Sequence, residues 1–247
     1  MTAQAGPLIT RIIELETPAG PMPCYEAFPD ATGDHRGMIV IQEAFGVNGH
    51  IQEITRRLAG QGYHAVAPPL FHRTGGSPTI PYERFDEVRE HLAELTDEGI
   101  LQDVDAVRRH LRESQLGDEH TGVIGFCMGG RASCLVAVRR KLAAAVSFYG
   151  GGIVRTRSEN MPALIGEVPN LATPWLGLFG DLDESIPTDD VEKLRSVLAE
   201  TASVDWDIVR YPDAGHGFNC DQRSSYHEPS ARDAWDRALG WFDAHLP

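Results

Sequence analysis

With 247 residues, 42% of them hydrophobic, the chain suits one α/β domain or two small ones and is too apolar to be disordered. Its formal net charge of −14 repels phosphate backbones, which argues against nucleic-acid binding, and any anion site must supply its own cation. The four cysteines (Cys24, Cys127, Cys134, Cys220) form no C-x-x-C pair, which excludes a zinc ribbon or thioredoxin motif and makes free thiols in a soluble cytoplasmic protein the expectation.

In chain order, MTAQAGPLITRIIELE has neither the basic n-region nor the long apolar h-region of a secretory signal, and no later run approaches the roughly 18 apolar residues of a membrane span. TRIIELET and MPCYEAF read as short strands joined by a turn at Pro18 and Gly20. GMIVIQEAFG is a continuous apolar run, the pattern of a strand buried on both faces. Ile51, Ile54 and Leu58 follow at helical spacing, and HAVAPPLF is a strand that Pro68 and Pro69 stop. Residues 72–83 read as a loop, followed by a helix with Ile100, Leu101, Val104, Val107 and Leu111 on one stripe. The strand TGVIGF leads to a helix from after Gly130 through Arg139, and LAAAVSFYGG and TPWLGLFGDLD are further buried strands. TDDVEKLRSVLAE predicts a helix with Thr188 as N-cap. After the strand in VDWDIVRYPDAGHGF, a last helix places Ala231, Ala234, Trp235, Ala238, Leu239 and Phe242 on one face. Strands alternating with helices, without repeat or linker, predict one α/β domain over residues 1–247, with a mostly parallel sheet and helices on both faces.

Ligands bind such sheets at the carboxyl ends of the strands. Those ends carry Glu43, Cys127, Tyr149, Asp183 and His216, with Arg73 close to another. Cys127, Asp183 and His216 follow in the order nucleophile, acid, histidine, each just after a β run. A thiol attacks poorly until an imidazole takes its proton, and a carboxylate on the other ring nitrogen fixes the tautomer. Gly125 to Gly129, GFCMG, has the spacing of a nucleophile elbow with Cys in place of the usual Ser. The following helix points its N-terminus at the thiol, favouring a thiolate and an oxyanion. The N–H groups of Met128 and Ala44 are the expected oxyanion donors. Asp181 and Asp183 both follow their strand, and either could orient His216.

Together QEAFGVN, LFHR, GFCMGG, GDLDESIP and YPDAGHGF resemble the dienelactone hydrolase (carboxymethylenebutenolidase) family over nearly the whole chain. The resemblance implies a single α/β-hydrolase domain without cofactor or metal. It implies hydrolysis of small enol-lactones or esters through a cysteine acyl-enzyme, with Cys127 as nucleophile, His216 as base and Asp183 as its orienting acid. It pairs Glu43 with the resting thiol, assigns Arg73 to the substrate carboxylate, and makes Phe45 a substrate contact. Tyr149 either lines the pocket or only packs beside it. A second carboxylate-binding arginine belongs four residues after the histidine, where this chain has Cys220. Weaker selection for anionic lactones is therefore expected, and Arg223, three residues further on, is not assigned the missing role. A thioesterase or other esterase on the same triad is the alternative enzyme. A thiol redox or ligand-binding protein is the non-enzymatic one. The partner expected is a small ester or lactone, and a monomer or small homo-oligomer fits equally.

Overall fold

The apolar runs assemble into one eight-stranded sheet. The computed structural model describes residues 6–30, 35–75 and 77–247, so Met1 to Ala5 of the stretch read for a leader lie outside the described residues. Strands β1 (Leu8–Thr17) and β2 (Gly20–Pro29) pair antiparallel across a tight turn, which closes at Gly20 with φ +104°. β3 (Arg36–Ile41), β4 (Tyr63–Ala67), β5 (Thr121–Phe126), β6 (Ala144–Phe148), β7 (Trp175–Gly180) and β8 (Trp206–Tyr211) run parallel, and β2 joins them antiparallel to β4. The spatial order is β1-β2-β4-β3-β5-β6-β7-β8. β5, β6 and β7 are buried at every residue, as their unbroken apolar sequences require, whereas edge strand β1 has no fully buried residue.

Helix α1 (Gly49–Ala59) is capped by the Asn48 side chain, which accepts from the Ile51 N–H, and buries Ile51, Ile54 and Leu58. It lies beside α6 (Glu228–His245), where the Arg57 guanidinium stands 4.0 Å from the Trp235 ring centre. α3 (Asp97–Glu113), capped by Thr96, buries its predicted stripe and meets α4 (Met128–Arg139). α5 (Thr188–Thr201) begins with Thr188 inside the helix; Pro187 is the cap residue and no side chain caps the end, which corrects the expectation for Thr188. The described residues of 72–83 are loop apart from single 3₁₀ turns, but a helix of its own follows them, α2 (Phe85–Glu94). Only Val88 of α2 is buried, so its apolar pattern is too sparse to announce a helix.

The topology places the functional crevice. From β3 the chain crosses to β4 on one side, then returns to β5 on the other, so the connections diverge at the carboxyl ends of β3 and β5. Such a switch point leaves an opening at the top of the sheet.

Candidate active site

Cys127 is the single residue between β5 and α4, and it takes φ +56° and ψ −116°. A non-glycine residue in that region is strained and persists only where its surroundings over-determine it. The surrounding glycines make it possible. A Cβ on Gly125 would stand 1.9 Å from the Gly129 carbonyl oxygen, and one on Gly129 would stand 2.4 Å from the oxygens of Ile41 and Gln42. The Cys127 N–H donates to the Phe148 carbonyl at 3.0 Å, and its carbonyl accepts from the Gly130 N–H at 2.9 Å. α4 therefore starts at Met128, three residues earlier than the sequence pattern predicts, with its first turn directly against the thiol.

The loops after β7 and β8 bring the partners. His216 Nε2 lies 3.0 Å from Cys127 Sγ, and His216 Nδ1 lies 2.6 Å from Asp183 Oδ2. An ionised carboxylate only accepts, so Nδ1 carries the proton and Nε2 faces the sulfur. The other Asp183 oxygen accepts from the Ser185 N–H at 2.9 Å and hydroxyl at 2.6 Å. Burial disfavours charge on Asp183, but His216 and Ser185 outweigh it and hold its pKa below the ordinary value. Asp181 turns away into a two-pronged pair with Arg210, at 2.7 and 2.8 Å. The choice between the two aspartates thus falls to Asp183. Burial also works against a charge on His216, yet the Cys127 sulfur and Asp183 more than offset it and raise its pKa to about 10.

Ala44, Phe45 and Met128 line the same cavity as Cys127 and His216. The N–H groups of Ala44 and Met128 donate to no acceptor among the described residues. Glu43 is fully buried close by. One of its oxygens accepts from the Tyr149 hydroxyl at 3.3 Å, and Arg223 Nη1 stands 3.6 Å from that oxygen, while the other oxygen has no partner. Among the described residues no hydrogen bond joins Glu43 to Cys127, whose sulfur faces His216 instead. Tyr149 is fully buried, edge-on to the His216 ring at 5.3 Å. Of its two readings, it packs beneath the site.

Arg73 departs from expectation. It donates to both Asp103 oxygens, at 2.5 and 2.9 Å, and to the Gly99 carbonyl at 3.1 Å. With its fork filled by α3, it is absent from the cavity wall and has no free face for a substrate carboxylate. Arg223, which the sequence spacing offered but left unassigned, stands on the cavity wall. It lies 5.7 Å from the ring centres of both Phe45 and Tyr82, and its Nη1 has no hydrogen-bond partner. Successive turns, with N–H groups of residues 220, 223 and 226 each donating three residues back, fold Arg223 over Gly217. A Cβ on Gly217 would stand 2.4 Å from the guanidinium. The second glycine of AGHGF was the available signal. Cys220, at the position expected for arginine, is buried with its sulfur 3.2 Å from the Tyr82 hydroxyl.

Outside the cavity, Glu26, His64 and His110 bring potential metal-ligand atoms within 4.8 Å of one another. Arg11 and both imidazoles surround the Glu26 carboxylate, so hydrogen bonding already accounts for the cluster.

The mostly parallel sheet, with a strained elbow at its switch point and side chains delivered by later loops, defines an α/β-hydrolase fold. The model of the "Dienelactone hydrolase family" matches residues 22–246. A Yersinia pestis protein with the provisional name carboxymethylenebutenolidase is 42% identical over 229 residues, 91% of this chain and 84% of its own. A crystal structure from Klebsiella pneumoniae, provisionally described as a dienelactone hydrolase, superposes with a TM-score of 0.88 at 37% identity, covering 96% of this chain and 99% of that one. A dienelactone hydrolase-like phosphotriesterase from metagenomic libraries shares the fold, with a TM-score of 0.81 at 20% identity over 98% of this chain and 100% of its own. The chain belongs to the dienelactone hydrolase family and is a lactone or ester hydrolase. Among the described residues no helix is long and apolar enough to cross a membrane.

Proposed function

We propose that this protein cleaves small lactones and carboxylic esters through a thioester on Cys127. The observation that carries the reading is the continuous relay from Sγ to Nε2 at 3.0 Å and from Nδ1 to Asp183 at 2.6 Å, mounted on a strained elbow. Any one of these cysteine, histidine or aspartate side chains has an ordinary structural explanation; their alignment at one cavity supports nucleophilic catalysis.

In this reading His216 holds the thiol proton at Nε2, leaving a thiolate. The sulfur attacks the carbonyl carbon, and the N–H groups of Met128 and Ala44 receive the developing oxyanion. The tetrahedral adduct collapses: the carbon–oxygen bond to the leaving group breaks, and Nε2 gives that oxygen its proton. A water then loses a proton to Nε2 as it attacks the thioester. The carbon–sulfur bond breaks, the carboxylic acid departs, and the thiolate–imidazolium pair returns. Asp183 keeps the imidazole in one tautomer throughout. Glu43 and Tyr149 lie beneath the site, where the Glu43 carboxylate stands 3.6 Å from Arg223 Nη1.

Arg223 receives a substrate carboxylate in this reading. It takes the role expected of Arg73 and supplies one cation where the family pattern has two. Arg131 and Arg157 also line the cavity, but Arg131 is held by Asp97 and Arg157 donates to the Ser185 carbonyl, so selection for anionic substrates rests chiefly on Arg223. Replacing Cys127 by Ala tests the core of the proposal: hydrolysis of an activated aryl ester should fall by at least about a thousandfold with unchanged circular dichroism. Retained turnover in that variant would refute the thioester route.

A further inference from the structure

The thiol and imidazole account for one part of a cavity of about 610 Å³, and much of the remaining wall is apolar. Phe85 and Leu182 are 54% and 63% exposed, and both line it. They are two of only four large hydrophobic side chains left exposed among the described residues. Exposed apolar groups gathered at a functional cleft mark a surface that a ligand covers.

The wall also has its own support. Ala44, Phe45, Ile80 and Val88 form a hydrophobic cluster separate from the main core, with Leu92 packed against it. Phe85, Val88 and Leu92 fall at i, i+3 and i+7 on α2, which puts them on one face along about 10 Å of helix. The Phe85 ring stands 6.0 Å from that of Phe45. At the other end of α2, the Asn160 side chain donates to the Ala93 carbonyl at 2.8 Å, and neighbouring Met161 lines the cavity as Leu92 does. Otherwise α2 is largely solvated, so presenting this strip is what its apolar residues accomplish.

The position of His216 divides the cavity. Nε2 must protonate the leaving group, so that half of the substrate stands beside the loop carrying His216. Leu182 belongs to this half, since its N–H donates to the Ala214 carbonyl at 2.9 Å. Phe85, Leu92 and Met161 line the same cavity from other elements, which leaves their strip available to the acyl part of the substrate.

We infer that the substrate carries an extended apolar acyl group, of medium-chain length, laid along Phe85, Leu92 and Met161. This rests on the hydrolase reading above and adds the class of acyl group that the site selects. A compact five-membered lactone would leave that strip in water.

The test is a series of p-nitrophenyl esters with a constant leaving group: acetate, butyrate, hexanoate and octanoate. For the unaltered protein, kcat/KM should climb about two- to fourfold per methylene up to hexanoate, the gain expected when each methylene leaves water. Phe85→Ser, at an exposed position, should flatten that climb and lower the octanoate-to-acetate ratio by about tenfold or more. Turnover of acetate with a flat or falling series would overturn the inference and leave the hydrolase reading standing. An unaltered slope in the Phe85→Ser variant would overturn it as well. Absence of turnover on every ester would sink the hydrolase reading and this inference together.

Discussion

At the level of single residues, the site depends on where charge is stabilised. Burial opposes a charge on His216, and its raised pKa follows chiefly from the sulfur it faces, assisted by Asp183. Its charged form should therefore persist well above the ordinary histidine value of about 6.5. An NMR titration of the His216 ring should give a midpoint near pH 10 in the unaltered protein. In the Cys127→Ala variant the midpoint should fall markedly, because the opposing sulfur is gone. An identical midpoint in both would mean that Cys127 carries no charge toward the ring. The sign for stability follows from the same shift: a raised folded pKa stabilises most below the unfolded value, and that contribution disappears as pH rises through about 10. Arg223 makes a separate prediction. A charge-assisted hydrogen bond to a substrate carboxylate is worth about 2 kcal/mol, or some thirtyfold. Arg223→Gln should reduce kcat/KM on a carboxylated ester by roughly that factor and on its neutral methyl ester by much less. Arg73→Gln should not discriminate between the two esters, because its guanidinium is held by Asp103.

At the level of elements, glycines separate positions that build the site from positions that merely tolerate it. Gly130 sits in the first turn of α4, where a Cβ would lie 2.5 Å from the Phe148 carbonyl and 2.9 Å from the Gly150 Cα. Neither backbone can move without shifting β6 against the elbow. Gly130→Ala should cost about 3 kcal/mol and displace Cys127 from His216. Gly240 lies within α6, and a Cβ added there would meet nothing within 4 Å, so Gly240→Ala should add up to about 1 kcal/mol. Chemical denaturation of the two variants beside the parent checks both signs. The same elements show which features sequence can reveal. Cys127, Asp183 and His216 were picked out because each follows a β run within a local signature, although β8, which precedes His216, is only partly buried. α2 was not, since its apolar positions Phe85, Val88 and Leu92 are scattered among charged residues and only Val88 is buried, too thin a stripe to announce a helix. Arg223 was noticed but left unassigned for a different reason. Its place is set by consecutive turns after His216, and a count of residues from the histidine does not describe a chain that folds back on Gly217.

At the level of the whole molecule, the antiparallel edge of the sheet is joined to the parallel body by the backbone pairing of β2 with β4 and by one buried carboxylate. Glu26 of β2 is fully inaccessible. Its oxygens accept from Arg11 of β1 at 2.5 Å, from His64 of β4 at 2.7 Å and from His110 of α3 at 2.5 Å. Four elements thus meet at one ionised group. Burial alone would raise the pKa of Glu26, but the hydrogen bonds from His110, His64 and Arg11 prevail and depress it far below the ordinary carboxylate value. A depressed folded pKa gives stability that is complete above the unfolded value of about 4.3 and is lost as pH falls below it. Thermal unfolding followed from pH 7 to pH 3 should therefore show the melting temperature declining steeply at the acid end. Glu26→Gln keeps the size but removes the charge, leaving the surrounding donors poorly matched. It should cost about 1–3 kcal/mol at neutral pH, because donors lose their acceptor inside the protein. It should also flatten the acid decline, since the group that had to be protonated is gone. A variant that melts in parallel with the parent across this range would show that the edge strands are held by backbone pairing and packing and that the carboxylate contributes no acid sensitivity.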